Sequence, residues 1–98
     1  MSYCVYCHVN KHNNKRYVGI TKQNPERRWN NGRGYVNSPH FYAAIKKYGW
    51  EEFTHEILFT NLSKKEAEEK EIYLIAKWNL QNKSKGYNVC AGGNVNII

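Results

Sequence analysis

Hydrophobic and polar positions alternate from the start of the chain. Tyr3, Val5, Cys7 and Val9 interleave with Cys4, Tyr6 and His8, a period of two that predicts a first β-strand. "NKHNNK" is a polar turn, and Arg16 to Ile20 resumes the alternation with Val18 and Ile20 on one face. The two runs read as a β-hairpin. Tyr6 and Tyr17 each fall opposite the aliphatic positions of their own strand, so they are expected to share a sheet face that is not the main core. Phe53 to Thr60 alternates again, with Phe53, His55, Ile57 and Phe59 predicted on one face of a third strand.

Between and after these runs the apolar spacing becomes helical. Asn24-Pro25-Glu26 supplies a capping side chain, a proline for the first turn and an acid near the positive end of the helix dipole. That helix carries Arg27, Arg28 and Trp29 and is expected to end by the loop "NNGRG". Ser38-Pro39 repeats the start signal. Phe41, Ala44, Ile45 and Tyr48 follow at helical spacing, and Gly49 is a natural stop. Ser63-x-x-Glu66 is a capping box that opens the segment "AEEKEIYLIAKWN". There Ala67, Leu74, Ile75 and Trp78 form an apolar stripe with Glu71 in its middle. A carboxylate on a core stripe is costly unless it meets a cation, a metal or another partner. The end of the chain, "NKSKGYNVCAGGNVNII", is turn-rich, with a short strand expected near Tyr87 to Cys90. The order β-β-α-α-β-α implies one α+β domain over residues 1–90, a small antiparallel sheet of about three strands flanked by helices, and a tail at 91–98.

A chain of 98 residues, 41% hydrophobic, suits a single small domain. Its formal charge of +7 and pI near 9.4 favour an anionic partner, of which nucleic acid is the commonest. All 8 acidic residues are Glu, and half of them lie between Glu66 and Glu71. A two-metal phosphoryl-transfer site needs several convergent carboxylates, which this chain hardly offers; one metal remains open. Cys4-x-x-Cys7 has half of a zinc spacing, yet an odd separation on a strand sends the two side chains to opposite faces, and no second pair exists. Reduced thiols in a cytosolic setting fit better. No apolar run is long enough to span a membrane and no signal peptide is visible, so the expectation is an intracellular (cytoplasmic, or in a bacterium nucleoid-associated) monomer.

Five short stretches, in order and at matching spacing, carry a resemblance. Cys4-Val5-Tyr6 and Tyr17-Val18-Gly19 lie on the hairpin, Glu26-Arg27-Arg28-Trp29 on the first helix, Glu71-Ile72-Tyr73-Leu74-Ile75 on the last, and Gly86-Tyr87-Asn88 near the end. Together they resemble the GIY-YIG nuclease family, over nearly the whole chain from Tyr3 to Asn88. The resemblance implies a metal-dependent endonuclease hydrolysing phosphodiester bonds in DNA, double-stranded by expectation. Glu71 would hold one divalent cation, Mg²⁺ or Mn²⁺, and Arg28 would stabilise charge on the phosphoryl oxygens. Tyr6 or Tyr17 would position or activate the attacking water, and Asn88 is the closing asparagine. Cys4-Val5 departs from the family's Gly-Ile. Gly32 stands four residues after Arg28, where the family often has His or Tyr; Tyr35 and His40 are the substitutes in reach. Arg28 is preferred over Arg27 because it directly precedes Trp29. The bland readings are strand aromatics for the tyrosines, a solvated Arg28, a surface His40 and a turn-ordering Asn88. The rival function is a non-catalytic nucleic-acid-binding module, for which an inward Glu71 has no use.

Overall fold

The computed structural model describes residues 2–92. The hairpin forms where the alternation predicts it, as β1 (Tyr3–Asn10) and β2 (Arg16–Thr21), antiparallel with Tyr6 opposite Gly19 and His8 opposite Tyr17. Two helices follow, α1 (Pro25–Trp29) and α2 (Pro39–Tyr48), then β3 (Phe53–Leu62) and α3 (Lys64–Lys77). β3 pairs antiparallel with the other side of β1, so the sheet order is β2-β1-β3. Three strands and three α-helices in this order make the expected α+β domain. Residues 93–98 of the expected tail lie outside those described. Among the described residues no helix is long and apolar enough to cross a membrane.

Local chemistry accounts for the helix ends. Asn24 Oδ1 accepts the Glu26 N–H at 2.9 Å, capping α1. At α3 both halves of the capping box are made: Glu66 N–H donates to Ser63 Oγ at 3.1 Å, and Ser63 N–H donates to Glu66 Oε1 at 2.9 Å. Ser38 precedes α2 without a side-chain cap; the proline at the helix start and the Gly49 stop define that element.

The sheet separates two cores. One face of β1 and β2 sends Val5, Cys7 and Val18 against Ala67, Leu74 and Ile75 of α3, with Leu80 behind them. The opposite face carries Tyr6 and Tyr17, and it is a core in its own right: Trp29, Tyr35, Phe41, Ile45, Phe53 and Tyr87 close over it. The expectation that the tyrosine face lies apart from the main packing is therefore corrected. Aromatic rings fill more volume per residue than aliphatic chains, and short helices supply enough of them to roof that side. Cys4 belongs to this aromatic core and Cys7 to the other, as alternation on a strand requires.

Two further expectations change. In β3 the pairing runs Tyr6 to Ile57 and Val5 to Phe59, so Leu58 is an extra residue at a bulge. Phe53, His55 and Ile57 stay on the Tyr6 face, while Phe59 turns to the α3 side, where the Lys70 ammonium sits 4.4 Å from its ring centroid. The continuous alternation from Phe53 to Phe59 thus serves both faces. At the other edge, the expected strand at Tyr87 to Cys90 is a single parallel bridge between Gly86 and Arg16, with Tyr87 N–H donating to the Arg16 carbonyl at 2.9 Å.

Candidate active site

α2, α3, β2 and the segment after Gly86 enclose a cavity of about 260 Å³. Tyr17, His40, Glu71, Asn88 and Cys90 are on its wall. Glu71 is half-buried. One turn to either side of it on α3, Ala67 and Leu74 go under the sheet, so the stripe's one charged member comes to the rim of the cavity rather than into the core. Tyr17 projects from β2 with its ring stacked on Phe41, centroids 4.5 Å apart and planes 5° from parallel. His40 is half-buried, its Nε2 3.4 Å from the Gly86 carbonyl oxygen and its ring 5.3 Å from that of Tyr87.

Asn88 lines the cavity but is committed to the backbone. Its Oδ1 accepts the Val18 N–H at 3.0 Å, and its Nδ2 donates to the Val18 carbonyl at 2.9 Å. The amide thereby copies a neighbouring strand's pairing on the outer edge of β2. It holds the strand that carries Tyr17, and it does so from the cavity wall.

Behind the wall lies a second set of groups. Tyr6 is 1% exposed and does not line the cavity, so of the two tyrosines Tyr17 is the one on its wall. The Tyr6 ring lies over Gly19, where an added Cβ would come within 2.5 Å of the phenolic oxygen, which explains why the Tyr17-Val18-Gly19 stretch ends in glycine. Tyr35 Oη donates to Tyr6 Oη at 3.0 Å. The Arg28 guanidinium is 4.7 Å from the centroid of the Tyr35 ring, and its Nη1 donates to the Gly34 carbonyl at 2.7 Å. Arg27, by contrast, is exposed. Helix α1 ends at Trp29, and Asn30, Asn31 and Gly32 follow at φ of 49°, 55° and 93°. Position 32 is therefore a left-handed bend, not the next turn of a helix, and a side chain one turn beyond Arg28 has no helix to carry it. The bend brings Tyr35 back beneath Arg28 instead. Of the two substitutes, Tyr35 meets Arg28 and Tyr6, and His40 stands on the far wall.

Electrostatics follow from burial. Desolvation pushes Tyr17 well above the ordinary phenol range; nearby Tyr6 adds to this and the Arg28 charge opposes it. Tyr6 is raised by burial too, opposed by the Tyr35 hydrogen bond and by Arg28. His8, placed in the sequence only as a strand position, is fully buried on this face and held neutral, its pKa lowered to about 2 by burial, then by His55 and Arg28. Its position in register with the tyrosines was the available signal.

Among the described residues no group of three or more His, Cys, Asp or Glu side chains converges as a metal cage. One carboxylate on an open wall suits a hard cation that keeps most of its waters and takes further oxygens from a substrate phosphate, so the donor present fits a single Mg²⁺ or Mn²⁺ and no richer site.

Comparisons with known proteins bear on the fold and the family. A glutamate-to-alanine variant of the catalytic domain of the intron endonuclease I-TevI is 27% identical, with a TM-score of 0.77 over 95% of this chain and 98% of that one. The catalytic domain of the homing endonuclease I-TevI gives 25% identity and a TM-score of 0.73 over 90% and 98%. No curated protein matches significantly. The family model of the GIY-YIG catalytic domain matches residues 2–88. That match over nearly the whole chain shows that the chain belongs to the GIY-YIG nuclease family.

Proposed function

We propose that residues 1–90 form a metal-dependent endonuclease domain that hydrolyses phosphodiester bonds in double-stranded DNA as a monomer. The observation that carries this reading is the shared cavity wall of Glu71 and Tyr17, with Arg28 held on Tyr35 close by. Glu71 would hold one Mg²⁺ or Mn²⁺, which when bound supplies Lewis-acid stabilisation of the phosphate and leaving oxygen. Arg28 uses one N–H on Gly34 and directs others to the phosphoryl oxygens in planar, charge-assisted bonds. Tyr17 holds the attacking water through its hydroxyl. Burial makes the phenol a reluctant acid, so positioning is its standing role, and deprotonation depends on the positive charge that Arg28 and a Glu71-bound cation place near it. Asn88 keeps β2, and so Tyr17, in register.

Plasmid cleavage with Mg²⁺, Mn²⁺ or EDTA, for wild type and Glu71→Gln, tests the proposal. Nicked or linear product is expected only from wild type with metal. Equal cleavage in EDTA would overturn the single-metal reading, and DNA binding with no cleavage under any condition would favour a binding module.

A further inference from the structure

Two residues behind the cavity have no part in the reaction as described so far. Tyr35 Oη, besides donating to Tyr6, lies 2.9 Å from His8 Nε2. His8 Nδ1 lies 2.9 Å from His55 Nδ1 on β3. His8 and Tyr35 are 0% exposed, so water does not compete for the bonds from Tyr35 to His8 and Tyr6, while the His8–His55 contact is part-buried. A hydroxyl has one proton to give. With that proton on Tyr6, the Tyr35 oxygen accepts from His8, and His8 must carry its hydrogen on Nε2. A neutral imidazole has one N–H, so in this arrangement His8 Nδ1 accepts and His55 donates from Nδ1, against the competing pull of the Trp50 backbone on the His55 ring. Every proton in the column His55–His8–Tyr35–Tyr6 then points toward Tyr6. The Tyr6 oxygen is occupied on the core side, and its own proton goes to a group outside the column. That oxygen rests against Gly19, two residues from Tyr17 on the same face of β2.

We propose that His8 and Tyr35 are positioning residues, which fix the Tyr6 hydroxyl as an acceptor on its core side and so turn its proton outward, toward Tyr17 and the reacting phosphate. Tyr35 couples this to Arg28, whose guanidinium lies on its ring. The other charged or titratable groups acting on Tyr6 are Arg28 from α1, Glu71 from α3 and Cys4 on its own strand. Those acting on His8 are His55 from β3 and Arg28. The catalytic use of the column rests on the nuclease reading above; its hydrogen-bond direction does not.

Two measurements test it. Nitrogen-15 NMR of the metal-free protein reads the His8 tautomer without any activity. The Nε2–H form is expected in wild type, with a mixture of tautomers in Tyr35→Phe. A wild-type His8 protonated on Nδ1 overturns the proposal. The second is a cleavage cycle with Mg²⁺. Tyr35→Phe is expected to lower the rate about tenfold in the wild-type background and to cause no further loss where Tyr6 is already Phe. His8→Leu should behave like Tyr35→Phe, whereas His8→Gln, whose amide N–H can replace the lost donor, should recover to within about threefold of wild type. Losses that multiply independently of Tyr6, or no recovery with Gln, would make the pair ordinary packing and overturn it. A wild type that never cleaves overturns the nuclease reading and this catalytic use of the pair, while the tautomer measurement still decides the column by itself.

Discussion

Glu71 is half-buried on the cavity wall, so its carboxylate carries only part of the desolvation cost of a fully buried charge. Glu71→Gln is accordingly expected to change unfolding stability by less than about 1 kcal/mol while cleavage falls below detection; urea unfolding beside plasmid nicking measures both. A loss of several kcal/mol would make Glu71 an architectural residue. Arg28 both bonds a carbonyl and places its guanidinium carbon 4.7 Å from a ring centroid, which a lysine cannot do together. Arg28→Lys should therefore lower cleavage about 100-fold or more, measured at saturating DNA so that weakened binding is not read as slower chemistry. His8 makes stability pH-dependent. The unfolded chain protonates this imidazole near its ordinary 6.5, the folded chain only near 2. Below pH 6.5 the unfolded state binds the extra proton, so stability present above that value is lost as pH falls. The loss is at most about 1.4 kcal/mol per pH unit, and His55, also lowered by burial, acts in the same direction. Urea midpoints at neutral and mildly acidic pH should fall more for wild type than for His8→Gln.

At the scale of elements, what pairs with the outer edge of β2 among the described residues is one backbone bridge and the Asn88 amide. Asn88→Ala removes both side-chain bonds to Val18 and leaves its buried N–H and carbonyl unsatisfied, a loss of about 1–3 kcal/mol. Amide exchange at Val18 should quicken more than exchange in β1. Cleavage should fall as well, through displacement of Tyr17, and recover in part at lower temperature. The capping, hairpin and helix-stop signals were all legible along the chain because each is a local preference of a few neighbouring residues. The bulge at Leu58 was not: the apolar alternation runs unbroken through it, and only the pairing of Val5 with Phe59 and Tyr6 with Ile57 reveals the extra residue. The bend at Asn30–Gly32 was legible as a loop, but not as the device that swings Tyr35 under Arg28.

For the molecule as a whole, on the proposed nuclease reading, the charge of +7 with few acids to oppose it predicts DNA binding driven by phosphate contacts. Affinity should be modest, tolerant of sequence, and fall linearly on a log–log plot with salt. Titrations on unrelated duplexes at several salt concentrations measure this; a tight, salt-independent preference for one sequence would contradict it. The two cores on opposite sides of one thin sheet also divide the labour. The aliphatic side anchors α3 and thereby Glu71, and the aromatic side holds Tyr6, Tyr35 and Arg28.

By itself the sequence determined the elements and their order and named the candidate residues for the chemistry, because periodicity, capping and motif spacing are written in neighbouring positions. Only the tertiary structure decided what those residues do for one another. Tyr17 faces the cavity and Tyr6 stands behind it because β2 is the edge strand and β1 the centre. Asn88 became a clamp because the chain returns beside β2. His8 joined the hydrogen-bonded group behind the cavity because its partners, Tyr35 and His55, lie 27 and 47 residues away. Contacts of that range are set by how the sheet and its helices close, and no local pattern encodes them.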